Sequence, residues 1–222
     1  MTGLRLSAAD VEAIERATVD AVAPQHVDSL EDEAWLLPMD PGTVGRARGA
    51  VPLHHEAPRT APQRLLERIK SRYAARGLPA QLRLADLPCF DELAATLAGR
   101  GYLAAKPTLT QVGRLDALRA LGAGEPAKVQ AEPHAGWTGV FLGPGFDPVD
   151  GACRVQALTR ARGNLFASVR ENGVTVAAGA VSLGHGWAGV HGMRTEQSAR
   201  GGGLAGRVLA GLAQAALDRG FE

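Results

Sequence analysis

The chain has little of what marks a membrane, exported or metal-binding protein. No apolar run approaches the ~18 residues of a bilayer-spanning helix, and no basic segment leads into an apolar stretch at the N-terminus. Cys89 and Cys153 are the only cysteines, and neither has a second cysteine or a histidine at zinc-site spacing. Both are expected as buried thiols, with no metal. An excess of one charge is missing too, since 24 Lys and Arg stand against 23 Asp and Glu. Nucleic-acid binding needs a concentrated basic patch, so neither a nucleic-acid nor a membrane partner is expected. A reducing cytoplasmic setting follows as the expectation.

What is present is enough apolar material for a core. Hydrophobic residues make up 45% of 222, which suits one large domain or two small ones. Ser7-Ala8-Ala9-Asp10 reads as a capping box opening an amphipathic helix, with Val11, Ile14, Thr18 and Val22 at helical spacing up to Pro24. Ala34 to Leu37 and Val44 to Leu53 read as strands joined across the turn Asp40-Pro41-Gly42. A second helix is predicted from Pro62 to Ala75, stopping at Gly77 ahead of Pro79. Gln81 to Leu84 alternates like a short strand, Cys89 to Leu97 reads as a helix, and Tyr102 to Val112 as a strand interrupted by Pro107. Gly122, Gly124 and Pro126 then dilute the pattern. The expected organisation is an N-terminal α/β domain over residues 1–113, a linker over 114–128 and a second domain over 129–222.

The second half is more sharply patterned. Gly143-Pro144-Gly145-Phe146-Asp147-Pro148 breaks regular structure, and Cys153 to Ala161 reads as a short helix. Leu165 to Arg170 and Val174 to Leu183 are strands across Asn172-Gly173, a strong hairpin signal. Gly184-His185-Gly186 turns the chain into a third strand, Trp187 to Thr195. From Gly203, the residues Leu204, Val208, Leu209, Leu212, Ala215 and Ala216 recur at helical spacing. The segment Arg200-Gly201-Gly202-Gly203-Leu204-Ala205-Gly206 therefore sits between a strand and the first turn of a helix.

That position has chemical meaning. A helix N-terminus offers unpaired N–H groups and the positive end of the macrodipole, and glycines let a phosphate approach the backbone. Arg200 adds a fixed cation. Gly201, Gly203 and Gly206 also satisfy the G-x-G-x-x-G spacing of a dinucleotide fold, which makes a nucleotide-binding oxidoreductase one reading. A dinucleotide fingerprint, however, should follow a parallel strand and lead to an acidic residue ~20 positions on.

From about Leu165 to Gly220 the chain resembles the GNAT superfamily of acyl-CoA-dependent N-acyltransferases, in which a strand meander leads into R/Q-x-x-G-x-G/A and a helix. Arg200-Gly201-Gly202-Gly203-Leu204-Ala205 fills each position, although Gln197 stands where the family commonly has proline. The resemblance implies an α+β fold with a mixed, mostly antiparallel sheet flanked by helices. It implies acetyl-CoA as acyl donor, held by the backbone of Gly201, Gly202, Gly203, Leu204, Ala205 and Gly206 with Arg200. The backbone of Met193, Arg194 and Thr195 would pair with the pantetheine arm, and an amine of a small molecule or a protein would accept the acetyl group. Trp187 stands where the family places a catalytic carboxylate, so the candidate proton relay is His191, on the same strand parity, while Glu196 reads as solvated.

A complete domain of that family continues past this helix with a fifth strand, another helix and usually two more strands, whereas the sequence ends at Glu222. The expectation is a C-terminally incomplete catalytic copy, either a fragment or one completed by another chain. An exposed sheet edge would favour a homo-oligomer. A noncatalytic acyl-CoA-binding module or inactive fragment therefore stands as the alternative to an enzyme. Arg46-Ala47-Arg48-Gly49 repeats the first spacing of the motif, which suggests two GNAT-like halves, the first degenerate and without CoA binding. A generic α/β scaffold is the other reading of that half. Trp137, Phe141 and Trp187 are candidates for an acceptor pocket or for the core.

Overall fold

In the computed structural model, which describes residues 6–222, Ser7 and Asp10 close the capping box in both directions. The Asp10 N–H donates to Ser7 Oγ (3.2 Å) and the Ser7 N–H to Asp10 Oδ2 (2.8 Å). Helix α1 (Ala8–Asp20) follows. The chain divides into two units. The first takes residues 6–15, Pro24–Pro41 and Gly45–Val112, the second Arg16–Ala23, Gly42–Val44 and Gly113–Glu222.

In the first unit, β1 (His26–Leu30), β2 (Trp35–Met39) and β3 (Gly49–Pro52) form an antiparallel meander. Helix α2 (Pro62–Ala74) carries the chain to β4 (Gln81–Leu82), which pairs parallel with β3, and α3 (Asp91–Gly99) completes the unit. Pro62 opens α2 because the first helical N–H needs no partner. Leu65 and Leu66, then Ile69 and Tyr73, fall on one face of the helix, and all four bury against Trp35, Leu37 and Met39. Full burial of each such side chain contributes about 1.5–3 kcal/mol. The Tyr73 hydroxyl donates to Pro38 O at 2.8 Å, and burial pushes the phenol pKa up.

Three expectations for this half need correction. β1 was not anticipated, because His-Val-Asp-Ser-Leu earns its place by pairing with β2 rather than by apolar content. The strand predicted from Val44 begins only at Gly49, after a 3-10 turn at Gly45–Ala47. Tyr102 to Val112 forms no strand. Pro107 lacks a donor, Lys106 has φ +55°, and Leu103 and Leu109 are almost fully exposed with no neighbouring strand to cover them. The two cysteines are half-buried rather than buried.

The second unit runs α4 (Leu115–Arg119), β5 (Lys128–Gln130), α5 (Ala135–Leu142), α6 (Pro148–Arg160), β6 (Leu165–Glu171), β7 (Val174–Gly184), β8 (Trp187–Thr195) and α7 (Leu204–Leu217). Its sheet is antiparallel in the order β5-β6-β7-β8. Both predicted hairpins have two-residue turns with positive φ at each position: Asn172 +49° and Gly173 +82°, then His185 +52° and Gly186 +79°. That is the turn whose twist matches the strands. Leu165, Ala167, Val169, Ala177 and Val181 pack with Leu204, Val208 and Leu212 of α7. Phe166, Ala178 and Ala180 pack with Trp137, Val140, Phe141 and Leu158 of α5 and α6. Helices thus cover both faces, which is why β7 is apolar almost throughout instead of alternating.

Helix α5 and strand β5 were not anticipated, and α6 starts five residues before the expected Cys153. Gly136 and Gly139 disguise α5, but Trp137, Val140 and Phe141 bury one face and His134 caps the start by accepting the Trp137 N–H. Asp147 caps α6 through the Val149 and Asp150 N–H groups, with Pro148 in the first turn. The motif read as a breaker is therefore also a helix start. The whole is α+β, with two mostly antiparallel four-stranded sheets and seven α-helices among the described residues. No helix among them is long and apolar enough to cross a membrane, and no group of three His, Cys, Asp or Glu side chains is placed to hold a metal.

Candidate functional site

The site is built where β8 gives way to α7. Along β8 the pairing to β7 slips: Ala180 faces His191 but Ala178 faces Arg194, so Gly192 and Met193 together oppose Gly179. This is a β-bulge, and its first residue, Gly192, has φ +57°. A methyl at Gly192 would clash with Leu158 Cδ1, so both conformation and space call for glycine. The Gly179 carbonyl accepts the Trp137 indole N–H at 2.9 Å, which satisfies a buried acceptor beside the bulge.

Beyond β8 a 3-10 turn (Gln197–Ala199) leads to the glycines. Gly201 and Gly203 have φ +84° and +73°, and no atom lies within 4 Å of where a side chain on either would start. The Gly206 and Arg207 N–H groups both reach back to Gly203 O. The N–H groups of Gly201, Gly202, Gly203, Leu204 and Ala205 have no acceptor among the described residues. Several consecutive free donors at a helix start form an anion cradle.

A groove of about 510 Å³ opens beside this loop, lined by Phe146, Arg154, Met193, Arg194, Thr195, Ala199, Arg200, Gly201, Gly203, Leu204 and Ala205. Three arginines and no carboxylate line it. Arg194 and Arg154 both bond to Asp150, at 2.9 and 2.6 Å. The Arg154 hydrogen bond chiefly holds the Asp150 carboxyl below its ordinary value, helped by Thr43 and the charge of Arg194. Arg200 is exposed; its guanidinium stands 5.7 Å from the Phe146 ring centre and donates only a long bond, 3.4 Å, to Thr195 O. It is the cation best able to turn to a ligand.

The fold therefore gathers Met193, Arg194, Thr195, Arg200, Gly201, Gly203, Leu204 and Ala205 around one groove. Gly202 belongs to the same loop without lining the groove. Gly206 turns elsewhere: a methyl there would meet Leu121 O at 2.6 Å, so this glycine lets α7 approach the backbone after α4. His191 sits on β8 just before the bulge, buried, and outside the groove lining. Trp137 and Phe141 are core residues, with ring centres 4.5 Å apart. Trp187 is half-buried at the start of β8.

Phe146, Arg154 and Ala199 were not foreseen as lining. The available signal was Asp147-Pro148, a cap followed by a first-turn proline, which places Phe146 at a helix entrance. One further pair invites a catalytic reading and fails it. His134 Nε2 lies 3.1 Å from Ser168 Oγ, but Nδ1 accepts the Trp137 N–H, so the neutral ring carries its proton on Nε2 and donates to the serine. A ring in that tautomer caps a helix and does not activate a nucleophile.

Nothing among curated proteins or solved structures matches the chain. A family model does, over residues 8–221, and its description supports acetyltransferase activity in general. A groove with an anion cradle, on a chain matched nearly end to end, thus belongs to a member of the family described as probable histone acetyltransferase Rv0428c, C-terminal.

Proposed function

We propose that the chain is a GNAT-type N-acyltransferase that moves an acetyl group from acetyl-CoA to an amine. The observation that carries the proposal is the run of free N–H groups from Gly201 to Ala205 at the start of α7, beside exposed Arg200. The element order β5-α5-α6-β6-β7-β8-α7 is in keeping with the family resemblance. The donor set suits a pyrophosphate: it offers backbone amides, open space over the left-handed glycines, and a cation.

Acetyl-CoA supplies a thioester-activated acetyl group. The backbone of Gly201 to Ala205 holds its phosphates, and Arg200 adds charge. Among the described residues strand β8 pairs with β7 on one side only, so Met193, Arg194 and Thr195 have backbone groups available for the pantetheine arm by strand addition. An N–H of that segment is the proposed oxyanion donor at the thioester carbonyl. His191, upstream on the same strand, is the proposed relay for the proton of the attacking amine; as the C–N bond forms the C–S bond breaks, and CoA leaves as a thiol that carries that proton away. The acceptor is a small-molecule amine or, in keeping with the family's description, a lysine of a basic protein. We propose no second acyl-CoA site in the first unit, whether it is a degenerate GNAT-like copy or a scaffold, because its Arg46–Gly49 segment enters a strand instead of a helix.

The second reading is an acyl-CoA-binding module without turnover, favoured by the lack of any carboxylate in the groove lining. An oxidoreductase reading is weakened because β8, which precedes the glycine loop, is antiparallel to its neighbour. Calorimetric titration with acetyl-CoA, with NAD as comparator, tests the cofactor. Saturable binding of acetyl-CoA alone is expected, and no binding at millimolar concentration would sink the proposal. Acetyl transfer to a panel of amines and a lysine-rich peptide separates enzyme from module. His191→Gln should lower kcat while leaving acetyl-CoA affinity unchanged, and an unaltered kcat removes it from the mechanism.

A further inference from the structure

In an unbroken strand, alternate residues face opposite sides. Ala188 and Val190 pack on the α7 side of the sheet, so regular alternation would carry residue 194 to that side as well. The bulge reverses this. Met193 joins the α7 cluster, and Arg194 is aimed at α5 and α6. There its side chain is only 11% exposed. The guanidinium donates to Phe141 O in the last turn of α5 and to Asp150 Oδ2 in the first turn of α6, each at 2.9 Å. It also lies 4.2 Å from the Phe146 ring centre and 5.2 Å from that of Phe141. Asp150 is anchored in turn by Arg154 and by the Thr43 hydroxyl at 2.9 Å.

One side chain thus ties the strand beside the groove to both ends of the α5–α6 turn. That turn, Gly143-Pro144-Gly145-Phe146-Asp147, is mostly exposed and includes Gly145 at φ +82°. It has little core of its own to hold it. Two of the Arg194 donors go to protein acceptors and its ring-facing surface to Phe146, whereas Arg200 is exposed and is the cation better placed to turn to a ligand.

We infer that Arg194 is a positioning residue for the groove: its guanidinium clamps the α5–α6 turn so that the Phe146 ring stands as a wall of the acyl-CoA site beside the glycine loop. The inference rests on the reading of the groove as that site. Lysine cannot replace Arg194, because an ammonium has neither the planar fork for two acceptors nor a face to stack on Phe146. A role exerted through Phe146 also predicts that the two substitutions are not additive.

The test is calorimetric titration of the full chain with acetyl-CoA for wild type, Arg194→Lys, Phe146→Ala and the double variant, with thermal melts showing that each is folded at the titration temperature. Each single variant should bind about tenfold more weakly, and the double variant less than about twofold more weakly than Phe146→Ala alone. Wild-type affinity in Arg194→Lys overturns the inference, as do losses that multiply in the double variant. If Arg194→Lys does not fold, Phe146→Ala decides, and wild-type affinity there overturns it. Wild-type protein that fails to bind acetyl-CoA removes the groove reading itself, a result distinguishable from failure in the variants alone.

Discussion

Arg46-Ala47-Arg48-Gly49 and Arg200-Gly201-Gly202-Gly203 share the same arginine-to-glycine spacing and fold in opposite ways. In the first, Gly45–Ala47 forms a 3-10 turn, the Arg48 N–H returns to Gly45 O, and Gly49 enters β3 opposite Gln81. Its backbone is committed to turn and sheet. In the second, two left-handed glycines hold the chain open, and five successive N–H groups face no acceptor among the described residues. Spacing alone therefore does not make an anion cradle. The backbone must be excused from secondary structure, and a helix must begin at once to align the free donors.

The sharpest way to break this comparison is to put a side chain on each glycine. Gly203→Val adds a β-branched residue at φ +73° and fills the open space over the loop. Acetyl-CoA affinity should fall by about a hundredfold or more, since several charge-assisted bonds are lost together. Gly49→Ala meets Gly45 O at 3.4 Å and Arg83 at 3.7 Å, ordinary contacts, and should leave that affinity unchanged in the same titration. Equal effects from the two would erase the distinction.

A second test moves to the strand that delivers the loop. Gly192→Ala combines φ +57° with a clash against Leu158, and should cost about 2–3 kcal/mol in chemical denaturation. The corresponding approach to Gly49 contains no left-handed residue, so no comparable position exists there. Gly192→Ala with wild-type stability would show that the bulge is dispensable.

The arginines sharpen the comparison further. Arg200→Gln should weaken acetyl-CoA binding about three- to tenfold and flatten its dependence on salt, as expected for one exposed cation near a phosphate. Arg46→Gln should do neither. A salt dependence unchanged in Arg200→Gln would take that residue out of the site.

The smallest effect is acid sensitivity at the groove. The pKa of Asp150 is lowered in the folded chain, so the unfolded chain takes up its proton at a higher pH. The stabilisation is present in full above the unfolded value of about 4 and is lost as pH falls through the lower folded value. Denaturation midpoints measured between pH 5 and pH 3 should fall for wild type and fall less for Asp150→Asn. Identical slopes would show that the carboxylate does not couple to folding.

Much of the site was legible without coordinates. The glycine loop, its arginine and the amphipathic helix follow from residue types at known spacing, and the chain reversals from Asn172-Gly173 and Gly184-His185-Gly186, of which the structure narrows the second to His185-Gly186. Helix α5 was hidden because Gly136 and Gly139 lower helix propensity, and only burial of Trp137 and Phe141 against the sheet overrides them. Tyr102 to Val112 has strand-forming residues and no strand beside it, a fact that no local pattern contains.

The glycine loop at the start of α7 was readable from the residues alone, since left-handed glycines at a helix start are local chemistry that needs no distant partner. The starts of α1 and α2 were also set locally, by the Ser7–Asp10 capping box and by Pro62. Only the tertiary structure decided the bulge at Gly192, the turning of Arg194 toward Asp150 and Phe146, and the diversion of Gly206 from the loop to packing against Leu121. The reason is physical. A bulge changes which face every later residue takes, and its position depends on the register between β7 and β8, which is set by cores on both faces of the sheet rather than by residues near Gly192.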